Sequence, residues 1–142
     1  MHLSPHFTLL EFTKSEMAKK FNIENSPNEE QIENLKLICK NLLEPLREML
    51  QEKIIILSGF RSFELNKKVG GVSNSQHLEG KAADIKVAGM NNFQLYEYIK
   101  DKFDFDQLIL EYYNKNNLHA GWVHVSWNGV KNRKKFFQIN DL

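Results

Sequence analysis

The sequence predicts an α+β domain in which helices pack on a small, largely antiparallel sheet. Three features point there. Helical periodicity is concentrated early in the chain, short β-branched and aromatic runs dominate its later part, and Asn128-Gly129 is the two-residue signature of a tight hairpin. At 142 residues, 42% of them hydrophobic and 26% charged, the chain suits one globular domain spanning residues 1–142 with a real core. It shows no internal repeat, low-complexity tract or linker.

Taking the elements in order, Thr13 is expected to cap a short helix ending near Phe21, with Glu16 closing a capping box. Ser26-Pro27-Asn28-Glu29 is a stronger start, with a Ser cap and Pro at the first helical position. Ile32, Leu35, Ile38, Cys39, Leu42, Leu46 and Met49 then recur at helical spacing, giving an amphipathic helix to about Leu50 that Pro45 should kink or split. Lys53 to Leu57 reads as a buried strand, and Ser62 as the cap of a helix through Val69. The glycine- and serine-rich stretch from Gly70 to Gly80 is a loop, followed by a strand from Ala82 to Val87. Asn91-Asn92 opens a helix carrying Phe93, Tyr96, Ile99 and Phe103. Asp106 to Tyr113 and Trp122 to Trp127 are two more strands, and the Asn-Gly hairpin leads into a last one from Val130.

Composition narrows the function. Nineteen Lys and Arg against eighteen Asp and Glu leave a formal charge of +1, too little to draw the chain to nucleic acid or an anionic membrane surface. The N-terminus has no basic, apolar signal pattern, and no apolar run reaches membrane-spanning length. Synthesis in the cytoplasm without a Sec signal and no stable membrane insertion are therefore expected. A single cysteine excludes an internal disulfide and a Cys-rich zinc site, so any metal must be held by His and carboxylate.

Of five histidines, His2 and His6 sit in an unpatterned N-terminus and His119 in a polar turn, where solvation is expected. His77 lies in the glycine-rich loop. Asp84, seven residues on, sits between Ala83 and Ile85 in a strand, where a carboxylate is costly unless paired or metal-bound. A salt bridge to Lys81 or Lys86 would satisfy it equally well. In Trp122 to Trp127, period-two alternation puts Val123, Val125 and Trp127 on the core face and Trp122, His124 and Ser126 on the other. Two imidazoles, one carboxylate and an open fourth position are the donor set of a catalytic zinc site, and also of non-haem iron. Such a site needs a base. Glu111 shares a face with Gln107 and Ile109, and antiparallel pairing with the His124 strand would bring it near the metal, although a surface carboxylate at a strand end is the plain alternative. Arg61 follows the first buried strand, and its planar fork suits a carboxylate or peptide carbonyl as well as simple loop ordering. Cys39 falls on an apolar helix face and belongs to the core.

Ser58-Gly-Phe-Arg-Ser62, Leu65-Asn66, Val69-Gly-Gly71, Ser75-Gln-His-Leu-Glu-Gly-Lys-Ala-Ala-Asp-Ile85 and Trp122-Val-His-Val-Ser126 together resemble the zinc D-alanyl-D-alanine carboxypeptidase family. That family includes phage endolysin peptidases and is related in fold to the hedgehog amino-terminal signalling domain. Phe7 to Phe12 and Leu43 to Arg47 are similar to its small, phage-type branch. The family's Ser-x-His-x-x-Gly-x-Ala-x-Asp pattern is matched by Ser75, His77, Gly80, Ala82 and Asp84. The resemblance implies zinc as cofactor with His77, Asp84 and His124 as ligands, Arg61 binding substrate or steadying the oxyanion, and Ser75 supporting the site. It departs at one place: many relatives carry the catalytic glutamate three residues before the last zinc histidine, where this chain has Gly121. Either Glu111 takes that role or the activity is lost.

The implied function is hydrolysis of D-amino-acid peptide bonds in peptidoglycan stem peptides, as carboxypeptidase or endopeptidase, by a monomer acting at the cell wall. The rival is a non-catalytic zinc-containing module that binds wall or protein, which Gly121 keeps open. An iron oxygenase is disfavoured because no His-x-Asp pair surrounds His77.

Overall fold

In the computed structural model, which describes residues 1–117 and 119–140, helices cover one face of a five-stranded sheet and leave the other face open as a cleft. The chain opens with an unpredicted antiparallel pair, β1 (His2–Ser4) and β2 (Phe7–Thr8), and a short helix α1 (Leu9–Thr13). Thr8 starts α1 by donating its backbone N–H to Glu11 Oε1 at 2.9 Å. The next helix, α2 (Glu16–Lys20), is capped by Ser15 rather than Thr13, whose residue is already the last of α1.

The long amphipathic stretch is present but begins later than Ser26 and Pro27 suggest. α3 (Glu29–Ile38) is capped by Asn28, because Asn28 and Gln31 exchange two side-chain-to-backbone hydrogen bonds of 2.8 and 2.9 Å. As Pro45 demands, the helix is split. A π-helical turn, Cys39–Leu43, separates α3 from α4 (Glu44–Leu50), so the proline ring falls in the first turn of a new segment. Leu35, Ile38, Cys39, Leu42, Leu43 and Leu46 are fully buried against the sheet. Burial pushes the Cys39 thiol up to about 12, so it is inert packing.

β3 (Ile54–Ser58) is an edge strand with one face exposed, which corrects the expectation of a wholly buried one: Ile54 faces the core while Ile55 and Leu57 are open to solvent. A continuous apolar run does not distinguish the two cases. α5 (Phe63–Lys68) is capped by Ser62 as expected. A 3-10 turn (Gln76–Glu79) interrupts the glycine-rich loop, and β4 (Ala82–Val87) follows it. α6 (Asn92–Lys102), capped by Asn91, buries Leu95, Tyr96 and Ile99, while Phe93 lies off that face against Tyr113.

β5 (Gln107–Glu111), β6 (Trp122–Ser126) and β7 (Lys135–Ile139) complete the sheet in the order β3-β4-β6-β5-β7. Every pairing is antiparallel except β5 with β7. The Asn128-Gly129 turn therefore does not close a hairpin. Both edges of β6 are already taken, by β4 and β5, and the chain crosses to the far edge of β5 instead. Backbone bonds from Lys134 to Phe105 and from Lys135 to Asp106, each 3.0 Å, fix that crossing. Among the described residues no helix is long and apolar enough to cross a membrane.

The N-terminal pair is tied to α4 through one buried carboxylate. Glu44 accepts from Ser4 Oγ at 2.8 Å, from the His6 backbone at 2.6 Å and from His6 Nδ1 at 2.8 Å, so His6 is not simply solvated. Burial alone would raise the Glu44 pKa, but the His6 and Ser4 hydrogen bonds outweigh it and leave the group below its usual value. A depressed carboxylate stabilises the fold fully above the unfolded value of about 4.3 and loses that contribution as pH falls through the folded one. Glu44→Gln should cost about 1.5–3 kcal/mol by urea unfolding near neutral pH. The deficit should shrink as pH is lowered below about 4.

Candidate metal centre

Strand register assembles the centre. β4 and β6 pair with Asp84 opposite His124, and β6 and β5 pair with Ile109 opposite His124 and Glu111 opposite Trp122. By alternation, Asp84, His124, Trp122, Ile109 and Glu111 all stand on the open face, while Ala83, Ile85, Val123, Val125, Leu108 and Leu110 are fully buried on the helix face. His77 reaches this row from the 3-10 turn. Ser75 caps that turn by accepting the His77 N–H at 3.2 Å, and the Gly80 backbone, at φ +73°, ends it in the left-handed region.

Donor atoms of His77, Asp84 and His124 all lie within 4.8 Å of one another. His77 Nε2 is 3.3 Å and His124 Nδ1 2.9 Å from Asp84 Oδ1. Ligand atoms around a tetrahedral zinc with bonds of about 2.0–2.1 Å stand about 3.4 Å apart, so only small adjustments separate this cluster from a coordination shell. The tautomer agrees. The Gly59 carbonyl, 2.6 Å from His77 Nδ1, can only accept, so Nδ1 carries the proton and Nε2 presents its lone pair to the centre. Burial of His77 lowers its pKa and favours the neutral, ligating form. Burial would raise the Asp84 carboxyl, yet the facing imidazoles, with His124 hydrogen-bonding it through Nδ1, hold it well below the usual carboxylate range. The donor set, a neutral imidazole and an ionised carboxylate beside a second imidazole, fits zinc. Neither lysine offered as a partner for Asp84 reaches it: Lys86 Nζ donates to the His119 carbonyl at 2.6 Å, and Lys81 lies 3.7 Å from Glu79.

Glu111 Oε2 is 4.0 Å from His124 Nδ1 and accepts the Trp122 indole N–H at 3.1 Å. Burial, together with the Asp84 charge, raises its pKa. Gly121, by contrast, has room for no side chain. Its φ is +75°, and a Cβ there would lie 2.0 Å from the Glu111 carbonyl oxygen. Arg61 enters from the loop after β3. Asn25 fixes that loop by donating to the Thr13 and Phe60 carbonyls and accepting from Ser62 N, and Arg61 N donates to the His77 carbonyl at 3.1 Å. Burial lowers the Arg61 pKa against the opposing pull of Asp84 and Glu111, and its Nε is a buried donor with no partner among the described residues.

These groups line a cleft of about 650 Å³ whose walls also include Gly70 and Gly71 on one side and Arg133 and Phe137 on another. His119 is exposed and outside the cluster, and His2 is also exposed. The sequence reading passed over Asp106. It is 1% exposed, and it binds Gln76 Nε2 at 2.8 Å and Arg133 through Nε at 3.0 Å and a terminal guanidinium nitrogen at 2.8 Å. The signal that singles out Asp84, apolar strand residues on both sides, is weaker at Asp106, which has Phe105 before it but Gln107 after it.

The family model described as Peptidase M15 matches residues 5–126, which contain Arg61, the 75–84 segment, Glu111 and His124. The chain belongs to the peptidase M15 family. It is also similar to the zinc D-Ala-D-Ala carboxypeptidase of Streptomyces albus G, 35% identical over 79 residues, which are 55% of this chain and 31% of that relative. The chain thus matches about a third of that relative's length.

Two outcomes follow for the centre. Metal analysis of purified protein should find about one zinc per chain, falling well below one in His124→Ala and Asp84→Ala, whereas an unchanged content would remove these residues from the site. Gly121→Ala should destabilise the fold by about 1–3 kcal/mol in urea unfolding, since the new methyl must displace the β5 backbone.

Proposed function

We propose that this M15 family member is a zinc peptidase that hydrolyses D-amino-acid peptide bonds in the stem peptides of peptidoglycan at the cell wall. His77, Asp84 and His124 hold the metal, Glu111 is the general base, and Arg61 and Ser75 serve the substrate side of the site. The observation that carries the reading is the register that sets Glu111 on the open face beside His124, 4.0 Å away, in the wall of a cleft of about 650 Å³.

Zinc, when bound, supplies Lewis-acid polarisation of a carbonyl and acidification of water to a pKa of about 7. Glu111 takes the proton that water gives up as its oxygen adds to the scissile carbonyl carbon. The same carboxyl returns a proton to the leaving nitrogen as the C–N bond breaks, so the products are a carboxylate and an amine. Partial burial raises the Glu111 pKa, which brings it nearer to the working pH of both transfers. The Trp122 indole N–H restrains the carboxylate without neutralising it. Arg61 offers a half-buried cation to the negative charge that grows on the carbonyl oxygen. Ser75 acts through the turn, holding the His77 backbone.

Mass spectrometry of muropeptides before and after incubation with the zinc-loaded protein tests this reading. Cleavage at a D-amino-acid bond is expected, and Glu111→Gln should slow it about 10²- to 10⁴-fold while keeping its zinc. Full activity in Glu111→Gln would dismiss Glu111 as base. Intact muropeptides despite bound zinc would favour the non-catalytic binding module.

A further inference from the structure

Arg133 lies beyond the span matched by the family model, in the crossing between β6 and β7, yet its side chain forms part of the cleft wall. Its placement is tightly built. Both oxygens of the buried Asp106 are saturated: Oδ1 accepts the Arg133 backbone N–H and Nε–H, each at 3.0 Å, and Oδ2 accepts a terminal guanidinium N–H and Gln76 Nε2, both at 2.8 Å. These bonds hold Asp106 down at about 2, with the Arg133 side-chain bonds the largest cause. Neutralising a buried carboxylate would be sufficient reason for an arginine, but not for leaving that arginine 55% exposed in the cleft. Of the five N–H donors of a guanidinium, Asp106 takes two, and three remain on a fork whose orientation is already fixed. Gln76, the residue before His77, shares the same carboxylate, so the fork is tied to the turn that carries His77.

We propose that Arg133, positioned by Asp106, binds a carboxylate of the peptide substrate. The inference rests on the peptidase reading above. The Asp106–Arg133 pair carries no net charge, so it offers oriented donors rather than a field, and a carboxylate accepting two parallel N–H bonds fits it better than an amide with a single carbonyl oxygen. The carboxylate is either the C-terminal one, as in a carboxypeptidase, or one carried within the peptide, as in an endopeptidase acting on an acidic stem.

Three otherwise identical D-amino-acid peptides separate these sources: one with both a free C-terminus and an internal glutamate, one amidated at the C-terminus, and one with glutamine for the internal glutamate. One of the two amidated peptides is expected to show a KM raised about tenfold or more in the wild type, with kcat little changed. Which one it is identifies the carboxylate. Arg133→Lys keeps a cation beside Asp106 and so should preserve the fold, checked by its Tm, but it loses the fork. In that variant the KM for the fully acidic peptide should rise and the discrimination collapse to within about twofold. Equal KM for all three peptides in the wild type, or discrimination undiminished in Arg133→Lys, overturns the assignment while leaving the peptidase reading intact. Absence of cleavage of any of the peptides by the zinc-loaded wild type overturns both.

Discussion

A carboxylate buried between two imidazoles is the constraint on which the rest of this structure depends. Asp84 sits in the middle of an apolar strand with Ala83 and Ile85 wholly buried at its sides, and its close partners there are the rings of His124, 2.9 Å away, and His77, 3.3 Å away. Neither partner arrives by local chain geometry. His124 is brought by the β4–β6 register, and His77 by a single 3-10 turn held at one end by Ser75 and at the ring by the Gly59 carbonyl. A register slip of one residue would send Asp84 into the helix-packed core and the centre would not exist. The fully buried leucines of α3, α4 and the turn between them therefore serve the site indirectly, by making one face of the sheet unmistakably the inside.

The same register accounts for the glycine at position 121. That residue must turn in the left-handed region hard against the Glu111 carbonyl, so no side chain fits there. What approaches the centre instead is the side chain of Glu111 itself, across the strand pair from Trp122, whose indole steadies it. One contact thus both closes position 121 to a side chain and sets a carboxylate 4.0 Å from His124. The site is built mainly on strands and a capped turn, which hold side chains more tightly than long loops do.

Much of this was legible from residue types and periodicity. Alternation in Trp122 to Trp127 assigned His124 to the open face, and alternation in β5 put Glu111 there too, because a period of two survives any error in strand ends. Helix starts were less readable. Ser26-Pro27 and Thr13 carry good capping signals, but Asn28 and Ser15 win since their partners Gln31 and Ala18 lie where the bonds can be made. The Asn128-Gly129 turn misled for a topological reason: hairpin chemistry is local, and whether β6 has a free edge depends on β4 and β5, far away in sequence. Asp106 and Arg133 escaped notice for a similar reason, since their pairing joins a strand start to a basic stretch 27 residues later, and nothing local marks that stretch as part of the cleft.

The central claim is that His77, Asp84 and His124 together form the coordination shell of one zinc ion. Zinc K-edge X-ray absorption on the loaded protein tests it most directly. Two imidazoles with the remaining donors oxygen, at about 2.0–2.2 Å, are expected. Sulfur scattering near about 2.3 Å, or any imidazole count other than two, would contradict it.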